Sequence, residues 1–309
     1  MRFFGKTSID FMGKRRLWYL VSGMMILVGM LSVTFKGVDY GIDFLGGTEL
    51  VVKFQQPVSI SDVRSAMDRI GFGKAEIKTF GSDRDILIRT PEQAEGSTVA
   101  DRIRAGLKES FPQNPYTGEK EDRIGPKIGA ELRRGALMAV IASVIAIGVY
   151  VWVRFDFIYG LGALVALVHD VLVTLGLVSL CNGILVLEIN QNMIAAFLTL
   201  VGLSVNDTVV IFDRIRENKK IFKTMPLEQL MNKSLNETLS RTIITSGTIF
   251  MVLIVTLIFG GEVNRGFAFA LTVGIVTGTY SSIYMASAVA LEWVNRSARS
   301  KAAAAAATT

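Results

Sequence analysis

Apolar and polar positions alternate in blocks along this chain. Runs at 17–35, 136–153, 158–180, 192–212, 241–260 and 267–291 are apolar throughout or nearly so. Each is near or above the ~20 residues that a helix needs to cross a bilayer. Between the first and second runs, residues 36–134 have the mixed pattern of a water-exposed domain. Residues 48–54 read as a strand, and 61–70 as an amphipathic helix with Val63, Ala66, Met67 and Ile70 at three- and four-residue spacing, stopped by Gly71 and Gly73. Short strands at 76–80 and 85–89 flank a turn at Gly81-Ser82-Asp83. Val99, Ile103, Leu107 and Phe111 predict a second helix over 98–111, and a weak last strand falls near 121–124. The order β-α-β-β-α-β predicts a split ferredoxin-like unit. The expected fold is a polytopic α-helical membrane protein: six transmembrane helices, with a small α+β ferredoxin-like domain between helices 1 and 2.

Charge orients this arrangement. Residues 1–16 carry Arg2, Lys6, Lys14, Arg15 and Arg16 ahead of the first apolar run. That run is too long for a signal-peptide core and no small-x-small cleavage site follows, so it reads as an uncleaved span. The loop 213–236 holds six Lys or Arg residues and the tail 293–309 holds Arg296, Arg299 and Lys301, whereas 181–191 has none. The positive-inside rule then places both ends and the 213–236 loop in the cytoplasm, and the 36–134 domain outside. The end of the tail, 302–309, reads as disordered.

The polar residues inside the apolar runs are the candidates for function, because an ionisable group at membrane depth is costly, about 2.5–3.5 kcal/mol at a helix centre. Asp207 lies five residues inside the cytoplasmic end of its run. If Asn236 caps the next helix, Arg241 lies at about the same depth, and Thr238, Arg241, Thr245 and Thr248 share one face. Asp207 and Arg241 are therefore expected partners, with Asn206, Ser204 and Thr245 available for the remaining hydrogen bonds. Such a pair can act as a switch: the guanidinium holds the carboxylate ionised while close, and its departure favours protonation. A static ion pair is the plainer alternative. His169-Asp170 stands at the centre of the third run, where Asp170 is either a structural acceptor or a second relay group. Adjacent positions point about 100° apart on a helix, so these two are not expected to share a face. Small residues recur every fourth position at Gly266, Ala270, Gly274, Gly278, Ser282, Ala286 and Ala290, a stripe suited to close helix packing.

Composition narrows the class. Half of the 309 residues are hydrophobic and 19% are charged, with a mean hydropathy of +0.44, as in an integral membrane protein. The net charge of +6 does not point to nucleic acid, because the basic residues cluster beside apolar runs. One cysteine, Cys181, excludes an intrachain disulfide, and one histidine excludes a histidine-built metal cluster. No phosphate-binding loop, nucleophile elbow or metal motif is present, so neither cofactor nor enzymatic activity is expected.

Five motifs together resemble the SecD/SecF family of bacterial protein-export membrane proteins, on its SecF branch. They are Gly41-Ile42-Asp43-Phe44-x-Gly46-Gly47, Gly125-Pro126-x-x-Gly129-x-Glu131-Leu132, His169-Asp170, and Ser204-Val205-Asn206-Asp207-Thr208-Val209-Val210 with Asp213-Arg214-Ile215-Arg216-Glu217-Asn218, joined by Asn236-Glu237-Thr238-Leu239-Ser240-Arg241-Thr242. The resemblance implies half of an RND-type transporter in the bacterial inner membrane. It implies SecD as the second half, and the SecYEG channel, the SecA motor and YajC as further partners. The implied activity is use of the proton motive force to help a translocating polypeptide across and release it outside. It further implies that Asp207, Arg241 and Thr245 form the proton-conducting site. Two other readings are a half-size RND-type exporter of lipids or small molecules, and an intramembrane enzyme using Asp207 and Asp170 as a dyad.

Overall fold

A computed structural model describes residues 7–91, 98–185 and 187–306. After a 3-10 turn at Met12–Lys14, the first long helix, α1 (Arg15–Phe35), leads through a single turn, α2 (Ile42–Leu45), into β1 (Gly47–Phe54), α3 (Ile60–Arg69), β2 (Glu76–Thr79), β3 (Asp85–Thr90), α4 (Thr98–Ser110) and β4 (Tyr116–Ile124). The strands form one sheet in the order β2-β3-β1-β4, and every pairing is antiparallel. This is the split unit expected from the pattern. Leu50, Val52 and Phe54 alternate toward one face of β1 and are buried, because successive strand side chains point to opposite faces. They pack with Ile86 and Ile88 of β3, Val63 and Met67 of α3, and Ile103 and Leu107 of α4.

Two glycines join this domain to the long helices. Gly46 has φ +73° and Gly47 φ +124°, values that glycine adopts without penalty. A Cβ on Gly47 would lie 2.4 Å from the Thr90 carbonyl oxygen, and one on Gly46 2.8 Å from Cα of Pro126. The chain thus crosses between the end of β3 and the start of the next long helix where no side chain fits.

That helix, α5 (Pro126–Arg154), is followed by α6 (Phe157–Cys181), α7 (Gln191–Ile221), α8 (Leu227–Phe259) and α9 (Gly261–Ser281), which passes through a π-helical turn (Ser282–Ala286) into α10 (Ser287–Ala306). With α9 to α10 taken as one rod and α1 added, six helices among the described residues are long and apolar enough to cross a membrane. They are not equivalent. The most apolar stretches of α6, α7 and the α9 rod are 50%, 44% and 56% buried, against 11%, 17% and 11% for α1, α5 and α8. The first three form the centre and the others the periphery.

Helix boundaries differ from the apolar runs wherever polar chain continues a helix. The expected loop 213–236 is mostly helical: α7 runs to Ile221 and α8 starts at Leu227. Ile211, Phe212 and Ile215 keep an apolar face along the charged run and pack on Leu230, Met231 and Leu235, so packing holds the extension helical. Asn236 consequently lies inside α8 and does not cap it. Its side chain instead accepts from the Ile9 amide at 2.8 Å and donates to the Ile9 carbonyl at 2.8 Å. α5 begins ten residues before position 136, with Pro126 at its first turn, where proline's missing N–H costs nothing. The tail that reads as disordered is helical to Ala306, as an alanine run favours; 307–309 lie outside the described residues.

The small-residue stripe faces α7. A Cβ on Gly274 would come within 2.4 Å of Leu200 Cδ1, one on Gly278 within 3.2 Å of Ser204 Cβ, and one on Gly266 within 3.1 Å of Met193 Cε. α1 meets α6 in the same manner, with a Cβ on Gly29 falling 2.7 Å from Gly176 Cα.

Candidate functional site

Asp207 sits on the inward face of α7 and is 5% exposed. Ser246 of α8 donates to its Oδ2 at 3.0 Å. The inward face of α8 is built from Leu235, Thr238, Thr242, Ser246 and Leu253, all buried. Arg241 and Thr245 are one position round from it: Arg241 is exposed and Thr245 half-buried. The Thr245 hydroxyl donates back to the Arg241 carbonyl at 2.9 Å. Among the described residues Arg241 forms no ion pair within 4.0 Å of Asp207. The expected face of Thr238, Arg241, Thr245 and Thr248 is therefore split. A four-residue step of small hydroxyl residues lets α7 and α8 approach, whereas a guanidinium there would have to be desolvated. Asn206 is exposed.

Ser204, one turn before Asp207, points instead to Asp170. It donates to Asp170 Oδ2 at 2.5 Å, and Ser281 of α9 donates to the same oxygen at 2.8 Å. Oδ1 lies 2.9 Å from His169 Nδ1. The expectation that these neighbours cannot share a face fails, because the side chains bend toward each other from adjacent positions. His169 Nε2 in turn lies 2.8 Å from the Tyr280 hydroxyl, which accepts from Ser22 of α1 at 3.4 Å. His169 and Asp170 are 2% and 1% exposed. Three helices, α6, α7 and α9, thus bring three hydrogen-bonding groups to one buried carboxylate, with α1 attached through Tyr280. Among the described residues Asp207 and Asp170 have separate hydrogen-bond partners, Ser246 for the first and His169, Ser204 and Ser281 for the second.

A third cluster ties the α+β domain to the long helices. Arg89 of β3 pairs with Glu49 at 2.6 Å, Glu76 at 3.0 Å and Glu188 at 2.7 Å. Glu188 belongs to the connection between α6 and α7, and Lys78 reaches it at 2.5 Å. Burial pushes the Glu49 carboxyl above its usual range against the pull of Arg89. Burial also opposes the Lys78 charge, but Glu188 and Glu76 outweigh it and hold the ammonium above its usual range. The same connection is stitched to residues 39–41 through Ile189, whose amide donates to the Asp39 carbonyl at 2.7 Å. A polar cleft of about 450 Å³ opens beside this junction, lined by Asp43, Arg89, Lys120, Glu188 and Glu262 among others.

Sequence reasoning missed Ser246, Ser281 and Tyr280. Hydroxyls at four-residue intervals on α8 were a signal for the first. Nothing in the local pattern marks the Tyr280–His169 or Arg89–Glu188 contacts, since these partners lie 111 and 99 positions apart.

The family model described as protein export membrane protein SecD/SecF, C-terminal, matches residues 104–296, and the SecD/SecF GG motif matches 31–58. The chain is 46% identical to the protein translocase subunit SecF of Rhodothermus marinus over 300 residues, 96% of this chain and 97% of that one. It is 41% identical to the SecF of Calditerrivibrio nitroreducens over 285 residues, 91% and 92% of the two chains. Among solved structures, the crystal structure of SecDF, a translocon-associated membrane protein from Thermus thermophilus, superposes with a TM-score of 0.81 at 37% identity, covering 94% of this chain. The chain spans 39% of that SecDF polypeptide.

Proposed function

The chain belongs to the SecD/SecF family of protein-export membrane proteins, and from that premise we propose that it is the SecF-type half of a two-part export machine. Near full-length identity to SecF translocase subunits carries this reading. Its larger partner is a SecD-type chain, and the pair serves the SecYEG channel with SecA and YajC. The membrane is the bacterial inner membrane, with both termini cytoplasmic and the α+β domain outside. The work is mechanical and has no catalytic reaction or cofactor of its own: the proton motive force drives release of the polypeptide on the outer side.

The exposed Arg241 supports the two-part reading. A guanidinium on a membrane helix cannot face lipid at low cost, so partner helices must cover the α8 face that also exposes Ile244, Met251, Val252 and Val255. That contact would turn Arg241 and Thr245 toward Asp207 and complete the proton-conducting site. A proton moving down the gradient releases about 2.3 kcal/mol per 100 mV, enough to bias such a bistable pair.

The test is proton-motive-force-dependent export in inverted vesicles. Asp207→Asn keeps the shape and the Ser246 contact but fixes the neutral state. It is expected to leave assembly intact and abolish the gradient-dependent part of export, sparing the ATP-driven part. Full coupled export by Asp207→Asn would overturn the assignment. Loss of assembly would assign Asp207 a structural role, and the Asp207→Ser variant, which retains hydrogen bonding in less volume, then separates packing from protonation.

A further inference from the structure

The hydrogen bonds around His169 link three helices. Asp170 Oδ2 already accepts from two serines. With the carboxylate ionised, its Oδ1 can only accept, so His169 Nδ1 carries the proton that links them at 2.9 Å. The neutral ring then leaves Nε2 bare as an acceptor for the Tyr280 hydroxyl 2.8 Å away, whose other acceptor is Met25 Sδ at 3.9 Å. Tyr280 receives in turn from Ser22. Ser22, Tyr280, His169 and Asp170 form a hydrogen-bonded chain that joins α1, α9 and α6, with the Tyr280 hydroxyl able to donate either to His169 or to Met25.

We propose that His169 is a second proton-binding site of this protein, taking up a proton at Nε2 and reporting it to α1 through the Tyr280 hydroxyl. Only the proton is gained, and no other bond forms or breaks. The imidazolium is stabilised by the Asp170 carboxylate at Nδ1, as a buried acid stabilises a histidine cation elsewhere. Once Nε2 bears hydrogen, Tyr280 can no longer donate to it and must accept. Its own O–H is then confined to the α1 side, where Ser22 Oγ lies at 3.4 Å and Met25 Sδ at 3.9 Å. Protonation on α6 thus rewrites the contact between α9 and α1, the helix that leads directly into the α+β domain.

The other groups facing His169 do not compete for this role. Asp170 and Tyr280 are the titratable ones; α1 presents Ser22 and Met25, and α7 presents Ser204. Asp207, one turn along α7, is turned toward Ser246 on α8. The proposal extends the proton-driven reading above, but its test requires no gradient and no export.

His169 is the sole histidine of the chain, so 15N-histidine labelling of the full chain in lipid nanodiscs gives one ring to follow. The expected result is the Nδ1–H tautomer at high pH and one sigmoidal passage to the doubly protonated ring as the pH falls. Trp18 of α1 supplies the second readout, because its ring lies 5.3 Å from that of Tyr280. In a Trp152→Phe, Trp293→Phe background, Trp18 emission is expected to follow the same midpoint. Tyr280→Phe is expected to keep the His169 transition and flatten the Trp18 response. A ring that holds one protonation state from about pH 5 to 9, or an Nε2–H tautomer at high pH, would overturn the site. A titrating His169 with a silent Trp18 would overturn the link to α1. Either result can occur whether or not Asp207→Asn loses gradient-driven export, so the two readings fail separately.

Discussion

Gly274 of α9 gives the sharpest test of how the central helices are packed. A Cβ placed there would sit 2.4, 3.1 and 3.2 Å from Cδ1, Cγ and Cδ2 of Leu200 on α7. Leu200 is 1% exposed and has no solvent to swing into. Gly274→Ala gains up to about 1 kcal/mol of helix propensity and loses about 1–3 kcal/mol to overpacking, so a net cost of roughly 0–2 kcal/mol follows. Gly274→Leu adds three more carbons against the same wall and belongs at or beyond the upper end of that range. Leu200→Ala alone opens a cavity and costs about 2–5 kcal/mol. In the double variant Gly274→Leu with Leu200→Ala, the new side chain occupies the space of the old one. The double variant is therefore expected to be more stable than the sum of the singles by about 1–3 kcal/mol, the coupling of residues in direct contact. The assay is reversible unfolding of the purified chain in mixed detergent, followed by near-ultraviolet circular dichroism. Additivity within about 0.5 kcal/mol, or a harmless Gly274→Leu, would show that the stripe does not seat on Leu200.

Two further outcomes follow from the junction between domain and helices. Gly47→Ala places a Cβ 2.4 Å from a backbone carbonyl that cannot rotate away, at φ +124°. It should destabilise the α+β domain by more than about 1 kcal/mol, visible as faster proteolysis within 47–124, and unchanged cleavage kinetics would refute it. Lys78 has a folded-state pKa raised above the ordinary 10.5, so its stabilisation is complete below pH 10.5 and is lost as the pH climbs through the folded value. Docking of the domain onto the α6–α7 connection should therefore loosen in strong alkali, read by hydrogen exchange at Ile189, and Lys78→Met should remove that pH step; a step that survives the substitution assigns it to another group.

The α+β domain was legible because its signals are local. Val63, Ala66 and Met67 at helical spacing, and Leu50, Val52 and Phe54 at strand spacing, are buried as their periods require. The six apolar runs were legible for the same reason. What the pattern could not convey was rotation about a helix axis. Arg241 and Thr242 are neighbours in sequence, yet one is exposed and the other buried, and the cap expected at Asn236 does not form, so spacing alone did not give the rotation of α8 about its axis. Spacing arguments resolve a face to about 100°, one residue, and the identity of Asp207's hydrogen-bond donor depends on that residue. The converse error occurred at His169 and Asp170, where side-chain torsions bridge a backbone angle that spacing alone treats as final. Arg89 shows a third limit: its carboxylate partners come from β1, β2 and the α6–α7 connection, and no local pattern carries that meeting.

The arrangement gives α7 a distinctive position. Its first residues follow the connection that holds Glu188 against Arg89, and Gln191 donates its amide to Asp43 beside the domain at 2.8 Å. Midway, Leu200 and Ser204 seat against the glycines of α9, and Ser204 holds Asp170. One turn later Asp207 faces α8, and the far end packs on Leu230, Met231 and Leu235. A change of charge at Asp207 or Asp170 therefore acts on a helix whose other end is bonded to the α+β domain. The glycine contacts make this coupling stiff, since backbones that touch without side chains between them have little slack to absorb a shift. A displacement of α7 by even an ångström must then move the α6–α7 connection and load the Arg89 cluster. The proton-coupled reading proposed above thus has in α7 one direct connection from Asp207 to the α+β domain, beside the one that α1 makes from the Tyr280 contact.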